Sequence, residues 1–132
     1  MWSKSTRTEF LSSMLVLRLV EQAEAALPNE CVGFIVRKGP RCFILPLPAL
    51  ATPSRVYVHP DVLLDAAMAL DCGGVELVAT YHSHPDGTAE PSSNDNLFSA
   101  WSYTHVLLYR SAGQWATQIY AWSSSVAATS DS

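Results

Sequence analysis

Residues 75–82 read VELVATYH, an apolar run that ends on a histidine. A strand with one face in water alternates apolar and polar residues. A strand of this length without that alternation is covered on both faces. Such a strand lies in the middle of a sheet, with other layers packed against both sides, and the rest of the chain has to supply them.

Two segments fit those layers. Over Thr8–Leu27 the residues Leu11, Leu15, Val16, Leu19, Val20, Ala23 and Leu27 share one helical face, with Arg18, Glu21 and Gln22 on another, and Pro28 stops the helix. Pro60 opens a second helix with Asp61 in its first turn, running to about Leu70, with Gly73 as its stop. The remaining apolar runs predict strands. CVGFIVR (31–37) and CFILPL (42–47) flank a Gly39-Pro40 turn, and Pro46 and Pro48 fit a frayed end or a sheet edge. VYV (56–58) is a short strand, and HVLLYR (105–110) and WATQIYAW (115–122) flank an Ala112-Gly113 turn. NDNLFSAWS (94–102) suits a short helix. Hairpins mixed with crossovers predict an α/β (α+β) fold, a mixed β-sheet flanked by helices.

A chain of 132 residues fits one domain, expected over 1–122, with the patternless stretch 123–132 as a disordered tail. Hydrophobic residues make up 48% and charged ones 15%, enough apolar material for a real core. The net charge of −4 and only eight scattered Lys and Arg argue against a general nucleic-acid binder. The apolar stretch MLVLRLV is short and interrupted by Arg18, so neither a membrane span nor a secretory signal is expected. Three cysteines without CxxC spacing predict no disulfide framework, a cytoplasmic location, and small buried apolar roles for Cys31, Cys42 and Cys72. Trp2, in a polar N-terminal segment, reads as mobile, and the other tryptophans as packing.

The chemistry concentrates in YHSHPDGTAEPSSND, residues 81–95. Residues i and i+2 of a strand point to the same side, so His82 and His84 present two imidazoles together. Neutral imidazole is a common zinc ligand, and a third donor would complete a catalytic site with an open fourth position. Asp95, in the first turn of the following helix, could be that donor. Ser92-x-x-Asp95 is equally a near-capping-box pattern, in which Ser92 caps the helix and Asp95 complements its positive end. The two roles are compatible, because a capped helix start fixes the carboxylate. Asp86 beside Gly87 reads as a turn residue. Glu30 heads the first core strand, where acidic residues are often just exposed. His59 and His105 read as structural, at a helix start and a strand start.

Taken together, PNECVGF around Glu30 and the later His-x-His-Pro…Pro-Ser-x-x-Asp string closely resemble the signature of the JAMM (MPN) metallopeptidase family, short bacterial type. The likeness extends from the first helix to about Trp122. It implies the JAMM/MPN sandwich, related in architecture to cytidine deaminases. The deaminase signature itself, His-x-Glu with Pro-Cys-x-x-Cys, is missing. By resemblance, His82, His84 and Asp95 hold Zn²⁺, Glu30 is the general base, and Ser92 donates a hydrogen bond to the oxyanion of the tetrahedral intermediate.

The expected reaction is hydrolysis of a peptide or isopeptide bond after the Gly-Gly tail of a small ubiquitin-like or sulfur-carrier protein. Such a tail could lie as an extended strand at a sheet edge. A phage-tail or cell-wall peptidase and a non-catalytic MPN binding module are the alternatives. No nucleic-acid or membrane partner is expected.

Overall fold

The computed structural model describes residues 1–123, so the expected disordered tail lies, beyond Ser123, outside the described residues. Its elements in chain order are β1 (Trp2–Ser5), α1 (Ser13–Ala26), β2 (Val32–Lys38), β3 (Arg41–Pro46), β4 (Leu50–Ala51), β5 (Val56–Tyr57), α2 (Pro60–Gly73), β6 (Glu76–His84), a 3₁₀ helix (Ser93–Ala100), β7 (Thr104–Ser111) and β8 (Gln114–Trp122). Six strands form one sheet in the order β1-β8-β7-β6-β2-β3, and β4 and β5 pair in a small sheet of their own. All pairs in the large sheet are antiparallel except β6 with β7, which is parallel, so the sheet is mixed as expected.

The apolar run at 75–82 falls almost wholly in β6, an interior strand flanked by β2 and β7. One face of the sheet packs against α1. There Leu15, Leu19 and Ala23 meet Cys31, Ile35, Ala79, Tyr81, Val106, Leu108 and Ile119. The other face packs against α2, where Phe34, Val36 and Leu70 form a second cluster with Leu63, Ala66 and Leu77. Tyr81 is fully buried on the α1 side, as its place opposite His82 predicts. Gly33 makes room for it. A Cβ there would come 2.5 Å from the tyrosine ring and 2.6 Å from the Leu45 carbonyl oxygen.

Local signals set the element ends, in several places differently from the sequence expectation. Helix α1 starts later than its apolar pattern, at Ser13, because the Ser12 hydroxyl accepts a hydrogen bond from the Leu15 N–H. His59 caps α2, its Nδ1 accepting from the Asp61 N–H, and Pro60 takes the first helical position. The stop is Gly74, not Gly73, since Gly74 adopts the left-handed conformation. Trp2 is not mobile. It pairs with Trp122 in β1, and the indole Nε1 donates to the Asp95 carbonyl. Of the cysteines only Cys31 is buried, while Cys42 is half-buried and Cys72 is exposed on α2.

Candidate metal centre

The C-terminal end of β6 sets the site. His82 and His84 leave the strand on the α2 side, and both are buried. In the antiparallel register with β2, Val32 pairs with His82. One step further along, the Ser83 N–H donates to the Cys31 carbonyl, and the Ser83 hydroxyl accepts from the Cys31 N–H at 2.8 Å. Continuing this register sets Glu30 opposite His84. Asp86 makes the turn after the strand by accepting from the Thr88 N–H, which is the turn role expected of it. The chain then returns through the 3₁₀ helix, and Asp95 in its first turn accepts a hydrogen bond from the Ser92 N–H at 2.7 Å. Capping therefore holds the carboxylate where the two imidazoles converge.

The convergence is close. The Nε2 atoms of His82 and His84 are 2.9 Å apart, and Asp95 Oδ2 lies 3.0 Å from the first and 3.4 Å from the second. A tetrahedral zinc ion with bonds of roughly 2.0–2.1 Å separates its donors by about 3.3 Å. Small outward movements of the rings therefore suffice to admit such an ion, and two imidazoles with a carboxylate are donors of the right kind. Glu30, His82 and His84 also offer donor atoms within 4.8 Å of one another, so two carboxylates compete for the third position.

Electrostatics separates them. Burial alone would raise the Asp95 carboxyl, but hydrogen bonds from His82 and His84 outweigh it and hold the group far below the usual carboxylate range. Asp95 is thus an anion, already in contact with both rings. For Glu30, burial wins over the attraction of His84, and the carboxyl is raised to about 7. That value suits a group that takes and returns a proton near neutral pH. Burial pulls His82 down. For His84, burial is outweighed by Asp95, the Thr88 carbonyl and Glu30, and the ring titrates above its ordinary value.

The structure brings together Glu30, His82, His84 and Asp95, with Ser92 one hydrogen bond from the Asp95 carboxylate. It also places against them residues that the sequence did not single out. His105, read as structural from its strand start, is fully buried, and its Nε2 sits 2.6 Å from His82 Nδ1. Thr80 Oγ1 lies 2.6 Å from His105 Nδ1. Phe98 stacks on His105 at 4.7 Å between ring centroids and lies 5.3 Å from His82, while Trp2 covers His105 at 5.4 Å. The one local signal was Thr80, two residues before His82 and hence on the same strand face.

The model of the prokaryotic homologs of the JAB domain matches residues 12–124. The chain belongs to that family. A relative from Thermus thermophilus, described as a probable TtuB-protein conjugate cleaving protease, is 36% identical over 95 residues, which cover 67% of this JAB-family chain and 64% of the relative. The matched part is therefore somewhat less than two thirds of that relative's length. Among solved structures, the chain is similar to a Desulfitobacterium hafniense protein determined in solution, with a TM-score of 0.60 and 23% identity over 82% of this chain and 80% of that one. It is also similar to the crystal structure of a JAB1/MPN domain protein from Archaeoglobus fulgidus, with a TM-score of 0.51 and 20% identity over 78% and 82% of the two chains. Both likenesses show the fold, a mixed sheet flanked by helices.

Proposed function

We propose that this chain is a zinc-dependent peptidase that hydrolyses a peptide or isopeptide bond after the C-terminal Gly-Gly of a small ubiquitin-like or sulfur-carrier protein. The observation that carries the reading is the buried convergence of His82, His84 and Asp95, with Glu30 beside them raised to about 7. His82, His84 and Asp95 would hold the zinc. When bound, the ion supplies a Lewis acid that polarises the scissile carbonyl and lowers the pKa of water. Glu30 takes the proton from the attacking water and passes it to the leaving amine, the two-way transfer that a pKa near neutrality favours. The Ser92 hydroxyl donates to the oxygen on which charge develops.

The substrate class rests on a different kind of support. The relative named for cleaving TtuB–protein conjugates makes a protein–protein linkage the favoured target. The six-stranded sheet ends in β1 and β3, whose outer edges have no strand partner among the described residues. An extended tail could add at such an edge, and small residues let its backbone approach Glu30 and Ser92 together. No helix among the described residues is long and apolar enough to cross a membrane.

The test is intact-mass spectrometry on a panel of Gly-Gly carriers extended by one amino acid, ubiquitin fusions and a cell-wall stem peptide. Cleavage after the second Gly, stopped by a bulky residue in its place, is the expected result. A cut stem peptide with every carrier intact would establish the cell-wall alternative. Zinc uptake without turnover of any substrate would favour a binding module.

A further inference from the structure

His82 can face a metal through Nε2 only if its own proton is on Nδ1, because a neutral imidazole carries one N–H. The ring is fully buried, so that Nδ1–H needs a protein acceptor. The group within reach is His105 Nε2 at 2.6 Å. To accept there, His105 must carry its own proton on Nδ1, and Thr80 Oγ1 is 2.6 Å away with lone pairs to receive it. His84 has a simpler arrangement. Its Nδ1 lies 2.8 Å from the Thr88 carbonyl, an acceptor that can only take a donated proton, so its Nε2 is left free to face the centre.

We propose that His105 is a positioning residue for the metal centre, holding His82 in the Nδ1–H tautomer, with Thr80 as the terminal acceptor of the chain. The parallel pairing of β6 with β7 sets Thr80 opposite His105, which puts the ring beside His82 on the same face of the sheet. Phe98 stacks on the ring and Trp2 packs against it at a tilt, and the full burial of His105 keeps water from competing for either nitrogen. Thr80 and His105 are both fully buried, and neither has a solvent alternative. Partners of this kind orient metal-binding imidazoles and raise their basicity, and their loss typically weakens metal binding about 10–100-fold.

This inference rests on the proposed metal site, and the experiment separates the two. Zinc affinity is measured by competition with a chelator for the parent, His105→Phe, His105→Gln and Thr80→Val. His105→Phe preserves the stacking but removes the acceptor, and its affinity should fall about 10–100-fold while its cobalt-substituted visible spectrum changes. In His105→Gln the side-chain oxygen can still accept from His82 and the amide can still donate to Thr80, so affinity should largely recover. Thr80→Val, nearly isosteric, should lie between them, and it carries the test if His105→Phe does not fold. Parent-like affinity in folded His105→Phe or in Thr80→Val would overturn the proposal. If the parent itself takes up no zinc, the metal reading fails. The imidazole ¹⁵N spectrum of the metal-free protein then decides the role of His105, since a His82 ring without a proton on Nδ1 would overturn it.

Discussion

Glu30→Gln should stabilise the metal-free protein at alkaline pH while abolishing its hydrolytic activity. The carboxyl is buried at 5% exposure, and its pKa is raised from 4.5 to about 7. Between those values the native state keeps a proton that the unfolded chain has already lost. Stability therefore falls as pH rises through the window from 4.5 to about 7, and the full penalty remains above it. A rise of this size corresponds to about 3 kcal/mol, a ceiling because local relaxation and water entry reduce it. Glutamine is nearly isosteric and does not titrate, so it removes the penalty. Urea denaturation of both proteins with a chelator present, at about pH 8.5 and about pH 4.5, reads the difference. The variant should be the more stable by roughly 1–3 kcal/mol at the higher pH, with the gap closing to a few tenths at the lower one. Equal stability at alkaline pH, or a gap that widens on acidification, would refute the burial account of Glu30. Prepared without chelator, the variant should keep its zinc and lose turnover, exchanging activity for stability.

Wild-type protein purified without chelator should hold one zinc per chain, and His82→Ala or His84→Ala should lose most of it by elemental analysis. The metal-free protein should keep its far-ultraviolet circular dichroism, since the two apolar clusters on either face of the sheet do not depend on the ion. Ser92→Ala should lower the rate by about 10²–10³ if its hydroxyl meets the oxyanion. If the hydroxyl serves only as a helix cap, turnover should survive with about 1 kcal/mol less stability. Gly33→Ala should cost about 1–3 kcal/mol in a melting experiment. The added methyl meets the Tyr81 ring and the Leu45 carbonyl, and the tyrosine hydroxyl is tethered to Gln22, so the ring has little freedom to retreat.

Much of the frame was legible because it is written in local periodicities. The unalternating run at 75–82 implied an interior strand, and the helical stripe of Leu15, Leu19 and Ala23 implied a helix lying on the sheet. The alternation of β6 placed His82 and His84 together, and Ser92 with Asp95 carried the pattern of a helix start. Glu30 stood alone in sequence and joined the group only through the likeness to a known signature. In space the β2–β6 register brings it there.

What sequence alone determined, then, is what depends on neighbours within a few residues: strand faces, helix stripes, turns and caps. The surroundings of the imidazoles depend on strand order, which no local pattern carries. His105 and Thr80 are 25 residues apart and meet because β7 lies parallel beside β6. Trp2 reaches the site because β1 pairs with β8 at the far edge of the sheet and sends its indole over His105 to the Asp95 carbonyl, 93 residues away. Those contacts follow from which strand edges pair, a choice tied to the burial of the sheet's interior strands against α1 on one face and α2 on the other.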